Sequence, residues 1–286
     1  MTNAVPSFER LARFAGREVA PDLIANVART WLGGLPIALL DRAATADLMV
    51  AAAQSPVWRD RPMVMSSANG EVISRCRSNP AIAALFARAD LISADGQPLV
   101  LASRWLGGPA LPERVATTDL FHDVAERAER LGISFYLFGA TEEENRKACE
   151  QARAQFPRLN IVGRSHGYVD GGALDRRVSE IDALAPDILW VALGVPREQQ
   201  FCVRFARRLR HVRVVKTSGG LFNFLSGSRA RAPIWMQRSG LEWAFRVAQE
   251  PRRLLARYAL TSPHAIYLLA RSRSLAPRFE AAERRP

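Results

Sequence analysis

The sequence predicts an α/β fold: a Rossmann-like, mostly parallel sheet with helices on both faces, followed by a helical, arginine-rich C-terminal appendage. Three observations predict it. Short, near-continuous apolar runs, plainest in SFYLFG (134–139) and ILWVAL (188–193), have the composition of strands buried on both faces. Amphipathic stretches at helical spacing lie between such runs, and strands that alternate with helices imply βαβ units. The runs end in small or polar residues with glycine: SSANG, SADGQP, FGAT, GRSHGYVD, LGVPREQ and KTSGG. Glycine lets the chain turn sharply and lets a ligand approach main-chain N–H groups, so six such tips on one sheet edge predict one broad polar crevice.

In chain order, residues 1–30 read as a leader with basic amphipathic patches, and core-like sequence begins near Trp31 with WLGGLPIALLD. The expected strands cover 63–67, 91–93, 134–138, 160–163, 188–193 and 212–216. The expected helices cover 42–54, 72–89, 98–105, 120–131, 142–156, 173–184 and 198–209. The core is expected to extend to residue 228, with 229–286 as the appendage. There Trp235, Leu241, Trp243 and Phe245 recur at helical spacing among arginines. Pro251 is expected to interrupt this stretch, and Pro263 to separate off a last helix at 265–273.

With 48% apolar and 24% charged residues, the 286-residue chain can bury a substantial core. Its net charge of +12 comes almost wholly from arginine, the only lysines being Lys147 and Lys216. A basic surplus fits nucleic acid, acidic membrane or phosphate-bearing substrates. No nucleic-acid-binding module is visible, so nucleic acid is not expected as a partner. Cys76, Cys149 and Cys202 show no CxxC or His-linked spacing, which fits reduced thiols and argues against a zinc site. No secretion-signal pattern opens the chain and no apolar run is long enough to span a bilayer. A soluble or peripheral protein on the cytoplasmic side is expected. The basic, aromatic appendage fits either an interfacial segment on acidic lipid or a helical cap packed on the sheet.

The stretch ADLISADGQPLV (89–100) reads as strand, tight turn and helix with Asp95 at the tip. Ligands bind at strand C-termini in open α/β sheets, so Asp95 suits a base or ligand anchor; it also suits a helix N-cap. There is no GxGxxG, GxxxxGK[ST] or HExxH motif, and no Asp-x-Asp pair to hold a cation against a departing diphosphate. Arginine, lysine or helix N-termini must then take that charge, and Arg114, the appendage arginines and the Gly219-Gly220 turn are candidates.

One order of motifs runs through the chain: Ser-Ala-Asn at 67–69, Ala-Asp-Gly at 94–96, Glu-Arg-Val-Ala at 113–116 with Asp119, and Gly-Tyr at 167–168. It continues with Leu-Gly-Val-Pro-Arg at 193–197, Gly-Gly-Leu-Phe-Asn at 219–223, Arg-Ala-Pro at 231–233, Leu-Glu-Trp at 241–243, and Glu-Pro-Arg-Arg at 250–253 with Arg257-Tyr258. In this it resembles the WecB/TagA/CpsF family of bacterial glycosyltransferases, glycosyltransferase family 26. The resemblance implies inverting, metal-independent transfer of a sugar from a nucleotide diphosphate-sugar, UDP-N-acetylmannosamine or a UDP-hexose, to a polyprenyl-diphosphate-linked saccharide. It implies work in cell-surface glycan or exopolysaccharide synthesis, without a cofactor, at the inner face of the plasma membrane. The appendage would attach the protein there, with homo-oligomerisation left open. Asp95 is then the general base, and Ser67 and Asn69 position sugar or acceptor. Arg114 faces a diphosphate. Gly194, Pro196, Arg197, Glu198, Gln199, Gly219, Gly220 and Asn223 hold the nucleotide sugar. Gly96, Asp119, Gly139 and Tyr168 join them as substrate-binding positions, and Arg229, Arg231, Arg246, Arg253 and Arg257 supply charge. Three departures stand out: Ser67 replaces the commoner Thr, Glu198-Gln199 reverses the family's Gln-Glu, and Asn223 replaces an Asp. The alternative is a soluble Rossmann-like nucleotide-sugar-modifying enzyme or oxidoreductase, against which the missing GxGxxG counts.

Overall fold

A computed structural model describes residues 24–55, 60–106 and 109–272, apart from the side chains of Arg238 and Arg253. It opens with a hairpin, β1 (Arg29–Leu32) and β2 (Leu35–Ala38). Gly33 and Gly34 turn it at φ +58° and +87°, as a tight two-residue turn between right-twisted strands requires. Helix α1 (Arg42–Gln54) follows, its first turn capped by the Asp41 side chain.

The main sheet contains β3 (Met63–Ala68), β4 (Leu91–Ala94), β5 (Ser134–Gly139), β6 (Asn160–Ser165), β7 (Ile188–Ala192) and β8 (Val214–Thr217). Their order across the sheet is β4-β3-β8-β7-β5-β6, and every pairing is parallel. The expected α/β architecture is therefore the observed one, with strand limits shifted by a residue or two.

Between the strands come α2 (Gly70–Ser78), α3 (Pro80–Phe86), α4 (Gln97–Trp105), α5 (Thr117–Leu131), α6 (Glu142–Gln155), α7 (Gly171–Leu184) and α8 (Arg197–Phe205). Side chains alternate across a strand, and the core divides accordingly. Phe135, Leu137, Ile188 and Trp190 pack with α1, α5 and α6 on one face. Tyr136, Phe138, Leu189 and Val191 pack with α7 and α8 on the other. A third cluster joins the hairpin, α2, α4 and the β4 edge. Ile24 is buried in the first cluster, ahead of Trp31; residues 1–23 of the expected leader lie outside the described residues.

Two expected helices come out differently. The stretch 72–89 is two helices, because Asn79 caps a new start by accepting from Ala81 and Ile82 N–H, with Pro80 in its first turn. After β8 the chain forms α9 (Leu221–Leu225), α10 (Ile234–Arg238), α11 (Glu242–Gln249) and α12 (Pro251–Ala270). Pro251 starts α12, and Pro263 lies inside it instead of ending it. The appendage packs on the core: Leu268 and Leu269 of α12 enter the cluster containing Val72, Ile73 and Cys76 of α2.

Candidate active site

Four adjacent strand tips, those of β4, β3, β8 and β7, open onto a cavity of about 270 Å³. Ser67 and Asn69 reach it from β3, Asp95 and Gly96 from β4, Gly219 and Gly220 from β8, and Glu198 from the start of α8. Arg114 and Thr117 line it just ahead of and within α5, and Arg231, Gln237, Glu242, Trp243, Arg246 and Tyr258 close it from the appendage. Parallel strands end on one sheet edge, so residues scattered between 67 and 220 meet in one place.

Asp95 does not cap α4, the helix that follows it. Gly96 occupies the cap position of α4, and no side chain bonds there. Instead Asp95 Oδ2 accepts from Thr117 Oγ1 at 2.9 Å and from Thr117 N–H at 3.4 Å. Thr117 Oγ1 is 3.3 Å from Ser67 Oγ, which in turn accepts from Lys216 Nζ at 2.7 Å. Burial pushes the Asp95 carboxyl above the ordinary carboxylate range, although the Thr117 hydrogen bond and the charges of Lys216 and Arg114 oppose this. Burial also pulls the Lys216 amine down to about 8, against the pull of Asp95 and Glu198. Asn69 caps α2 through its side-chain oxygen, which accepts from Val72 N–H.

Beside Asp95 a guanidinium network joins core and appendage. Arg114 donates to Glu242 Oε2 at 2.5 Å and to Gln237 Oε1 at 2.9 Å. Arg231 grips both oxygens of Asp119 and donates to the same Gln237 Oε1 at 2.9 Å. Burial alone would raise the Asp119 carboxyl; Arg231, Arg114 and Arg42 outweigh it and hold the group below its usual value. Arg246 stacks 5.8 Å from the Phe224 ring centroid.

Several expected site residues do other work. Glu198 Oε2 accepts from Gly194 N–H (3.2 Å) and Gly219 N–H (2.9 Å), so it ties two strand tips together and occupies amides expected to face a ligand. Gln199 is buried behind it, donating to Glu198 Oε1 at 3.3 Å. Pro196 follows a cis peptide bond at the entry to α8. Asp119 meets arginines, not the cavity. Asn223 donates to Glu144 and accepts from Arg229, which also pairs with Glu250. Arg257 pairs with Glu71 at 3.1 Å and stacks on Tyr258. The Arg253 side chain lies outside what is described.

The single broad crevice is also corrected, because α8 divides it. Tyr168 and Arg197 line a second cleft of about 520 Å³ with Ala140, Gly167, Gln200 and Arg204, at the tips of β5, β6 and β7. Gly139 is a packing position: its φ is +135°, and a Cβ there would fall 2.3 Å from Ala192 O.

Lys216 and Thr117 were not among the expected site residues. The only signal for Lys216 was its rarity, one of two lysines in a chain that otherwise uses arginine. Among the described residues, no three His, Cys, Asp or Glu side chains cluster to hold a metal ion. The three cysteines are buried and unpaired.

A parallel sheet with a carboxylate, hydroxyls and guanidinium groups gathered at its C-terminal edge suits a group-transfer enzyme for phosphate-bearing substrates. The profile of the Glycosyl transferase WecG/TagA/CpsF family matches residues 30–278, and the chain belongs to that family. It is a glycosyltransferase. It is 34% identical over 188 residues to an N-acetylglucosaminyldiphosphoundecaprenol N-acetyl-beta-D-mannosaminyltransferase of Bacillus spizizenii, covering 65% of this chain and 71% of that protein. It is 30% identical over 203 residues to the protein of the same name from Bacillus subtilis, covering 69% and 78% respectively.

Proposed function

We propose that this glycosyltransferase moves N-acetylmannosamine from a UDP-linked donor to a hydroxyl of N-acetylglucosamine carried on a polyprenyl diphosphate, inverting the anomeric carbon. The observation that carries the reading is Asp95, oriented by Thr117 at a cavity wall that also presents Arg114, Arg231 and Arg246. The relatives' names supply the sugar and the acceptor.

In the reaction, the acceptor oxygen attacks the anomeric carbon as Asp95 takes its proton. The bond from that carbon to the diphosphate breaks on the opposite face, and UDP leaves with the electron pair. A neutral acid could not accept the proton, so the rate follows the ionised fraction of Asp95. Arg231 and Arg246 neutralise the leaving diphosphate, the part a metal ion plays in other transferases. Ser67 and Asn69 orient sugar or acceptor at the neighbouring tip, while Tyr168 and Arg197 line the second cleft. The appendage holds the protein on the inner membrane face, where a lipid-linked acceptor resides.

The test is transfer from UDP-N-acetylmannosamine to a short-chain polyprenyl-diphosphate N-acetylglucosamine, followed by UDP release. D95N is expected to bind UDP and melt like the parent while losing transfer by a factor of about 10²–10⁴. Undiminished transfer by D95N overturns the base assignment. Transfer with UDP-hexoses alone overturns the donor. Activity lost in EDTA and restored by manganese overturns the role given to the arginines.

A further inference from the structure

The reaction as drawn uses Asp95 and the arginines and leaves Lys216 without a task. Lys216 lies in β8, in register with Met65 of β3 and Trp190 of β7, and its side chain is fully buried. A buried ammonium is costly unless its charge and its hydrogens find partners. Here it donates to Ser67 Oγ at 2.7 Å and to Thr217 O at 2.9 Å.

The direction of the next bonds follows by elimination. Thr117 Oγ1 gives its hydrogen to Asp95, so in its 3.3 Å contact with Ser67 it is the acceptor and Ser67 the donor. Ser93 Oγ, 3.1 Å from Ser67 Oγ, is a second acceptor for the same hydrogen, since Ser93 donates to Ser66 O. Along the line Lys216–Ser67–Thr117–Asp95 the ammonium and Thr117 hydrogens point toward the carboxylate, and Ser67 shares its hydrogen between Thr117 and Ser93. Bonds aligned this way polarise one another and strengthen the last of them.

We propose that Lys216 is a positioning residue for sugar transfer: through Ser67 and Thr117 it aims the Asp95 carboxylate, and its charge stands behind that carboxylate as a fixed counter-ion. The inference rests on Asp95 being the base. Lys216 faces Asp95 on the β4–α4 turn and Glu198 and Cys202 on α8, while Asp95 also faces Arg114 and Arg231. Removing the lysine charge leaves burial less opposed, so the Asp95 carboxyl rises further and the acid limb of the rate profile moves to higher pH. Removing the Asp95 charge has the reciprocal effect and lowers the Lys216 amine.

The composition supplies a direct probe. Lys147, the other lysine, is exposed and pairs with Glu143, so protein labelled with [13C]lysine gives two side-chain signals that K147R assigns. The Lys216 signal is expected to titrate near 8 in the parent and lower in D95N. K216Q keeps a donor toward Ser67 without the charge. It is expected to lose about tenfold in kcat with donor KM little changed, and to shift the acid limb up by about one pH unit. A Lys216 midpoint that D95N does not move, or a K216Q acid limb that stays in place, overturns the proposal. Should K216Q fail to fold, the lysine titration alone decides. An inactive D95N with an unmoved lysine signal removes only the role of Lys216; an active D95N removes the base and this inference together.

Discussion

A Cβ on residue 139 would sit 2.3 Å from Ala192 O and 2.8 Å from Ala192 Cα, on a backbone held at φ +135°. Neither obstacle is the end of a flexible side chain, so G139A must displace β5 from β7. We expect a loss of about 2–4 kcal/mol, read as a fall of roughly 5–15 °C in melting temperature, with UDP affinity kept below the transition. An unchanged melting temperature would return Gly139 to the substrate-binding set. Gly139 also shows what a motif conceals: the sequence marks the strand tip, but whether its glycine serves a ligand or a neighbouring strand depends on the approach of Ala192, 53 residues on. Asp95 was legible because strand, turn and helix are local patterns that put it at an edge. Lys216 was not, because a strand lysine shows its worth only when Ser67, 149 residues away, lies under its ammonium.

Elements were legible where their signals are local and failed where packing overrides them. The Asn79-Pro80 break is a local signal, a cap followed by a first-turn proline, which the apolar periodicity of 72–89 masked. Pro263 is the opposite case. An interior proline costs a helix about 3 kcal/mol. Burial of Leu254, Leu268 and Leu269 returns about 1.5–3 kcal/mol each, so α12 continues through it. Another tie between appendage and core is the clasp of Arg114 with Glu242 and of Arg231 with Asp119. The Arg114 and Glu242 side chains are only 13% and 26% exposed, so R114A strands a carboxylate in a partly dry place. We expect a cost of about 1.5–3 kcal/mol, faster proteolytic cleavage in α10 and α11, and at least roughly tenfold slower transfer. Digestion at the parent rate would show that the clasp does not hold these helices. The Asp119 half has a definite pH sense. Its folded value lies below its unfolded one, so its contribution is present above the unfolded value and is lost as pH falls through the lower, folded one.

For the whole molecule, charge and exposed apolar surface converge on the appendage. Ile234, Trp235, Leu255, Leu260, Ile266 and Tyr267 are all more than half exposed there, on a chain of net charge +12. No helix among the described residues is long and apolar enough to cross a membrane. Of the two readings open for this segment, packing on the core satisfies Leu254, Ala265, Leu268 and Leu269 and leaves the six outward residues unexplained. The interfacial role proposed above would account for those, since apolar side chains can enter a headgroup layer while basic charge favours anionic lipid. Deleting the appendage would be a poor test, because it also strips cover from Val72, Ile73 and Cys76. The double variant W235S/L260S changes only exposed positions. It should co-sediment with phosphatidylglycerol vesicles about tenfold more weakly than the parent, and raised salt should weaken the parent itself. Transfer to a short-chain, water-soluble acceptor should stay at the parent rate, while transfer to a long-chain acceptor embedded in vesicles should fall with the binding. Equal vesicle binding by variant and parent would leave the outward face without a membrane role; equal loss on both acceptors would mean that these side chains shape the site itself.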